Sequence, residues 1–291
     1  MRVAALVGPT AVGKTELSVA LADRLDAEIV SIDSMQIYEG MDIGTAKASS
    51  DQRERVPHHL LDIRLPGYEI TVAEFQTLAR AAMERIHSRF RMPLLVGGSG
   101  LYFRAVVDNL EIPARSQEVR DELEARVDEE GPEALHERLV ELDPKAAARI
   151  EPGNARRTIR ALEVIELTGK PFSDNDSWDR YESIYDLQVA GLTRDRADLY
   201  ARIERRVDRM LEAGLVEEVR RLEPHMSRTA RQALGYRQVL ESAPETLRDD
   251  IVRATKRFAR RQESWFRSDP RIRWFDAGDP DVEKIADYLE G

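Results

Sequence analysis

Gly8-Pro9-Thr10-Ala11-Val12-Gly13-Lys14-Thr15 fits the phosphate-loop pattern G-x-x-x-x-G-K-[ST] at every fixed position. The apolar run Val3-Ala4-Ala5-Leu6-Val7 precedes it, and Leu17, Leu21 and Leu25 recur behind it at helical spacing, with Glu16, Ser18, Asp23 and Arg24 off that stripe. Strand, glycine turn and helix thus follow in the order that aims backbone N–H groups and the positive end of a helix dipole at one point. Such a point holds phosphate. Lys14 adds a cation against the distal oxygens, and the Thr15 hydroxyl is placed to ligate a Mg²⁺ ion bridging them. The pattern specifies a phosphorylated ligand and leaves the reaction open.

Glu28 to Asp33 reads as a second strand, with Asp33 and Ser34 at its carboxyl end. Ligand crevices of open parallel sheets lie at that end, so Asp33 is expected to face the opening of the phosphate loop, either as a working carboxylate or as a helix cap or turn residue. Pro93 to Gly100 is a third buried strand ending in a glycine turn. A phosphate-loop ATPase usually places a metal-holding Asp after such a run. None stands here, which speaks against an ATPase or GTPase and points to ligand contacts by Ser99 and its neighbouring amides. Met35 to Asp62 reads as loop; His58 and His59 are adjacent on an extended segment and cannot readily share one metal ion. A helix is expected from Thr71 to Arg89, with Thr71 and Glu74 as a capping box.

From Glu111 to about Ser183 the strand signals stop, and charged helical segments run over 118–130, 133–142 and 154–168. Strand pattern returns over Tyr185–Leu192, followed by helices over 197–213 and 249–267 and a last strand at Arg273-Trp274-Phe275. The expected fold is α/β: a phosphate-loop NTPase-like parallel sheet flanked by helices, with an all-helical insertion. The expected division is a core of residues 1–111 and 184–291 and an insertion of residues 112–183.

A net charge of −10 at first argues against a nucleic-acid partner. Its distribution argues otherwise: Arg156, Arg157 and Arg160 cluster with no acid between them, as do Arg253, Lys256, Arg257, Arg260 and Arg261. No cysteine is present, which excludes disulfides and thiolate metal sites. No apolar run approaches the ~20 residues of a membrane span, and the N-terminus lacks the layout of a secretion signal. A cytoplasmic monomer that meets no membrane is the expectation.

Together the motifs resemble one family, the bacterial tRNA dimethylallyltransferases, also called tRNA isopentenyltransferases. The resemblance rests on Gly8 to Thr15, on Asp33-Ser34-Met35-Gln36-Ile37-Tyr38 with Gly40 to Lys47, on Pro57 to Asp62, and on Leu94 to Gly98 with Leu101-Tyr102-Phe103. It continues through Arg160-Ala161-Leu162-Glu163-Val164, Gly235-Tyr236-Arg237 and Arg260-Arg261-Gln262 followed by Trp265-Phe266-Arg267. It implies transfer of a dimethylallyl group from dimethylallyl diphosphate to N6 of an adenosine next to the anticodon of tRNA, with Mg²⁺. It implies that the loop holds a diphosphate leaving group, that Asp33 is the general base, and that Asp33, Ser34, Met35 and Gln36 touch the target nucleotide. It further assigns tRNA contacts to Ser99, Arg120, the segment Arg156-Arg157-Thr158-Ile159-Arg160 and the segment Gln232-Ala233-Leu234-Gly235-Tyr236-Arg237. Ser99 stands where threonine is common in the family, and Gly100 where larger residues occur.

The implied chemistry is consistent with the residues. An adenine amino group is a poor nucleophile and needs a proton acceptor, while a departing diphosphate needs Lys14, loop amides and Mg²⁺. A loop base is also cheaper to extrude than a paired one. The competing readings are an isopentenyltransferase acting on free adenine nucleotide, a phosphate-loop small-molecule kinase, and an RNA-binding protein with a vestigial loop.

Overall fold

The apolar runs pair side by side in a computed structural model that describes residues 1–291 except Asp176, Trp178 and Asp179. Six strands are formed among the described residues: β1 (Arg2–Val7), β2 (Ala27–Ser31), β3 (His58–His59), β4 (Met92–Gly97), β5 (Asp186–Thr193) and β6 (Ile272–Asp276). They make one sheet in the order β3-β2-β4-β1-β5-β6, and every pairing is parallel. Parallel sheets carry helices on both faces and bury their central strands, which is why β1 is apolar from Val3 to Val7 and every residue of β2, Glu28 included, is buried.

Register decides where chemistry can sit. Val7 pairs with Gly97 and Gly191, and Ser31 with Val96, so the chain leaves β1, β2 and β4 at one edge of the sheet. The phosphate loop, Asp33 and Gly98-Ser99 therefore emerge together. Leu17, Leu21 and Leu25 are buried behind the loop, the first two on the helix Lys14–Arg24 and the third as its C-cap.

Three local features differ from the sequence reading. The stretch Met35 to Asp62 is not all loop: Ser49 and Gln52 form a full capping box at the helix Ser50–Arg55, and β3 follows. That helix buries none of its residues and β3 pairs over only two, so neither leaves a periodic apolar signature. At the helix Val72–Ser88 only half the expected capping box forms, because Thr71 accepts from Glu74 N while the Glu74 carboxylate binds Arg64 and Tyr68. The histidines diverge as expected: His58 Nδ1 meets the Val56 carbonyl at 2.7 Å, and His59 Nε2 meets Glu28 at 2.7 Å.

The chain divides into two units, one of Met1–Asp108 with Ser183–Gly291 and one of Asn109–Glu182. In the first, Asp108 and Ser183 form an isolated bridge where the chain leaves and returns. Buried Asp108 is held there by Arg104 at 2.6 Å and by Arg271, which also grips buried Asp269. The second unit has its own apolar cluster, in which Leu123, Leu135, Leu139, Ile159 and Leu162 meet from separate helices. Among the described residues no helix is long and apolar enough to cross a membrane.

Gly100, unusual for the family resemblance, is explained by Trp265: a Cβ on Gly100 would lie 2.0 Å from the indole Cε3. Gly100→Ala should therefore cost about 1–3 kcal/mol by overpacking. Urea unfolding midpoints measure it, and an unchanged midpoint would show that the indole swings away freely.

Candidate active site

The sheet edge opens into a cavity of about 230 Å³ within the first unit. Lys14, Thr15 and Asp33 all line it, together with Thr10, Ala11 and Gly13 of the phosphate loop. Gly8, Pro9 and Val12 are buried behind the loop and do not line the cavity. Lys14 Nζ donates to the Gly8 and Pro9 carbonyls, both at 2.8 Å. Two long side chains brace the loop from outside: Arg202 Nε donates to Ala11 O at 2.9 Å and Arg194 Nε to Val12 O at 3.3 Å. Gln262, buried on the helix Leu247–Arg267, accepts from Thr10 N at 2.8 Å and donates to Gly98 O at 2.9 Å. One carboxamide thus ties the phosphate loop to the turn after β4.

The structure places Asp33 as a turn aspartate that also faces the cavity. Its Oδ1 accepts from Met35 N at 2.8 Å and Gln36 N at 3.4 Å, as a turn aspartate does. No hydrogen bond occupies Oδ2 among the described residues, and the residue lines the cavity. One oxygen thus fixes the side chain and the other stays available. Gln36 also lines the cavity, but its side chain is committed to protein partners: it accepts from Ser31 Oγ at 2.8 Å and donates to Thr45 O at 3.2 Å. Ser34 and Met35 follow Asp33 without lining the cavity.

The opposite wall is missing from the sequence reading. Arg202, Arg205, Arg206 and Arg209 project into the same cavity from the helix Arg196–Glu212. None of the four makes an ion pair among the described residues. Their signal was present, because they recur at helical spacing while Leu199, Ile203 and Val207 form the buried stripe of that helix. With Lys14 they set five cations against the carboxylates of Asp33 and Glu16. Burial in the cleft and the neighbouring Arg206 push the Lys14 ammonium down to about 7, with Asp33 opposing. Arg206 is lowered by the same burial and likewise held up by Asp33. The arrangement suits a multiply charged anion beside the carboxylates of Asp33 and Glu16.

The donor set also bears on a metal. Among the described residues no group of three or more His, Asp or Glu converges. The Thr15 hydroxyl lines the cavity, which fits a Mg²⁺ ion taking its other ligands from phosphate oxygens and water. It does not fit a metal held by protein alone.

The remaining expected site residues lie elsewhere. Ser99 is the N-cap residue of the helix Gly100–Val107, yet its hydroxyl makes no capping bond. It does not line the cavity, although Gly97 and Gly98 do. Gln232 and Arg237 are exposed, and Arg237 pairs with Glu241 at 2.8 Å; Leu234 is half-buried, and Ala233, Gly235 and Tyr236 are buried. In the helical unit Thr158 and Ile159 are buried, so their side chains present nothing to a partner.

The arginine cluster there is also not free of acid, contrary to the sequence reading. Glu163, one helical turn beyond Arg160 and fully buried, accepts from Arg160 and from Arg120, each at 2.7 Å, and from Ser116 N at 3.1 Å. Arg160 is further engaged by the Pro113 and Ala114 carbonyls. Arg156 and Arg157 are the exposed members with no ion pair among the described residues. The second cluster is similarly offset, since Lys256 pairs with Glu204 at 2.6 Å and Arg253 with Asp250 at 3.5 Å.

A parallel sheet with a phosphate loop, a strand-end aspartate and an arginine wall is the architecture of a phosphate-loop protein, and similarity to known proteins adds the transferase class. The chain belongs to the IPP transferase family, whose model matches residues 36–269. It is 52% identical over 292 residues to the tRNA dimethylallyltransferase of Streptomyces avermitilis, covering 98% of this chain and 93% of the relative. With the enzyme of that name from Thermobifida fusca it shares 53% over 295 residues, covering 96% of this chain and 91% of the relative. Among solved structures it resembles the tRNA isopentenylpyrophosphate transferase of Bacillus halodurans, at 44% identity and a TM-score of 0.72, covering 99% and 94% of the two chains. It also resembles a eukaryotic dimethylallyltransferase acting on tRNA, at 27% identity and a TM-score of 0.82, covering 99% of this chain and 76% of the other.

A bound diphosphate anion favours the protonated lysine, so the Lys14 pKa is higher in the complex than in the free protein. Binding above pH 7 should then take up a proton, and affinity should fall as pH rises, by at most about tenfold per pH unit, until the complex itself deprotonates. Calorimetric titration of inorganic diphosphate at pH 8 in buffers of different ionisation heat counts that proton. Lys14→Gln should lose the uptake, and equal proton counts in both proteins would remove Lys14 from the anion site.

Proposed function

We propose that this chain transfers a dimethylallyl group from dimethylallyl diphosphate to the exocyclic N6 of an adenosine next to the anticodon of tRNA, releasing diphosphate, in the cytoplasm. The observation that carries the reading is the meeting of Asp33, Lys14 and the arginine wall around one cavity, in a chain of this family.

Diphosphate sits against the loop amides and Lys14, with Arg202, Arg205, Arg206 and Arg209 facing it. As N6 attacks the allylic C1, the C1–O bond to diphosphate breaks and the developing oxyanion is met by these cations. N6 passes a proton to Asp33, whose Oδ1 is held by the Met35 and Gln36 amides while Oδ2 is available. Mg²⁺ beside the Thr15 hydroxyl would supply further neutralisation of the leaving group. A kinase is disfavoured because no carboxylate follows β4 to hold its metal.

The exposed Arg156 and Arg157 are the members of the helical unit suited to RNA phosphates. Arg120 and Arg160 hold the unit together through Glu163. Arg156→Ala or Arg157→Ala should lower the slope of log tRNA affinity against log salt by about 0.7 to 0.9, whereas Arg160→Ala should leave the slope and cost about 1–3 kcal/mol of stability. Binding across a salt series separates the two; unchanged slopes for Arg156 and Arg157 would make them a solvated face.

Asp33→Asn should lower turnover by about 10²–10⁴-fold with tRNA affinity within a few fold. The assay is transfer of labelled dimethylallyl diphosphate to bulk tRNA, with free AMP as the competing acceptor. Near-normal turnover of Asp33→Asn would eliminate the general base, and equal transfer to AMP would favour a free-nucleotide enzyme.

A further inference from the structure

Gly40 to Lys47 is part of the stretch that carries the family resemblance, yet the loop from Asp42 onward has no role in the chemistry above. Its backbone is gripped by a carboxylate of unusual situation. Glu218, on the helix Leu215–Leu222, is 5% exposed and has no cation partner among the described residues. A buried carboxylate without a cation is unfavourable unless hydrogen bonds meet its charge. Here three successive amides do so: Oε2 accepts from Asp42 N at 3.1 Å and Ile43 N at 2.9 Å, and Oε1 from Gly44 N at 3.2 Å. The fourth donor is the hydroxyl of Tyr236, whose side chain is fully buried. Burial and Glu218 together push that phenol far above its ordinary range, so it remains a donor. A Cβ on Gly44 would lie 2.2 Å from Tyr236 Cε2, so the ring packs directly on the loop.

What this grip controls lies further along the loop. Thr45 and Ala46 line the cavity, and Ala46 holds a positive φ of 47°, a conformation that L residues adopt only when their surroundings impose it. Their carbonyls accept from Gln36 Nε2 at 3.2 and 3.4 Å. Gln36 N in turn donates to Asp33 Oδ1 at 3.4 Å, and Ser31 Oγ donates to Gln36 Oε1. Hydrogen bonds, with the loop backbone and the Gln36 side chain between them, therefore join Glu218 to the cavity carboxylate.

We propose that Glu218 and Tyr236 are positioning residues for the transfer reaction, setting Asp33 through the loop Asp42–Ala46 and Gln36; this rests on Asp33 as the proton acceptor. Tyr236 then affects the reaction from inside the protein, with no contact to RNA. The phosphate loop lies outside this series, so its own contacts with diphosphate are expected to persist when Glu218 or Tyr236 is changed.

The test is single-turnover transfer by Tyr236→Phe, which keeps the ring on Gly44 and removes one donor. Its rate should fall about tenfold to a hundredfold, as expected for a displaced catalytic group, with the KM for dimethylallyl diphosphate changed less than threefold. Placed on Asp33→Asn, the same substitution should cause no further loss. Melting curves verify that each variant is folded at the assay temperature, and Glu218→Gln, where folded, should exceed the Tyr236→Phe effect. Wild-type turnover of Tyr236→Phe, a loss that appears only in KM, or an equal loss on the Asp33→Asn background would overturn the positioning role while leaving the general base intact. Full turnover of Asp33→Asn alone would overturn both.

Discussion

Like charges held in one cleft are what the rest of the first unit is arranged to support. Lys14, Arg202, Arg205, Arg206 and Arg209 surround a single cavity. Their mutual repulsion shows in the depressed Lys14 ammonium, for which Arg206 is a cause second only to burial. Cations in that position are stable only because the helix Arg196–Glu212 is anchored by its other face, through Leu199, Ile203 and Val207. The loop is braced in turn by Arg202, Arg194 and Gln262. A cleft preorganised in this way is suited to meeting negative charge without reorganising.

The same protein meets its buried acids in two ways. Glu163 in the helical unit is matched by two guanidinium groups, so its neighbours Arg120 and Arg160 are committed to the fold. Glu218 in the first unit is matched by backbone amides and a phenol. A cluster of arginines is therefore a poor guide to an RNA surface until the acids beneath it are located. Lys47 is the cationic counterpart: nearly buried, it is shared by the Tyr38 carbonyl, Asp42 and Asp62. Burial pushes Asp62 up, but the hydrogen bonds from Lys47 and Arg53 hold it below the usual carboxylate range.

Asp33 shows how a turn aspartate can keep one of its oxygens available to a cavity. Oδ1 is spent on the Met35 and Gln36 amides, which removes rotational freedom from the side chain and leaves the second oxygen to act. That economy depends on Gln36 being held by Ser31 and by the Thr45 and Ala46 carbonyls. The position of the carboxylate is thus a property of several segments.

The sequence by itself determined the phosphate loop, the three strands that point at the crevice and the helical character of the insertion, because each rests on short-range periodicity and on glycine spacing. The buried acid partners of Arg120 and Arg160, the grip of Glu218 on a loop far from it in the chain and the arginine wall opposite Lys14 were decided only by tertiary structure. Those features depend on which face of a helix turns inward and on which distant residues arrive beside it. A helix was expected over residues 197–213, but only the parallel register of β1, β4 and β5 brings the arginine face of Arg196–Glu212 to the phosphate loop. Periodicity along a chain states that a helix has two faces, and packing alone determines what each face meets.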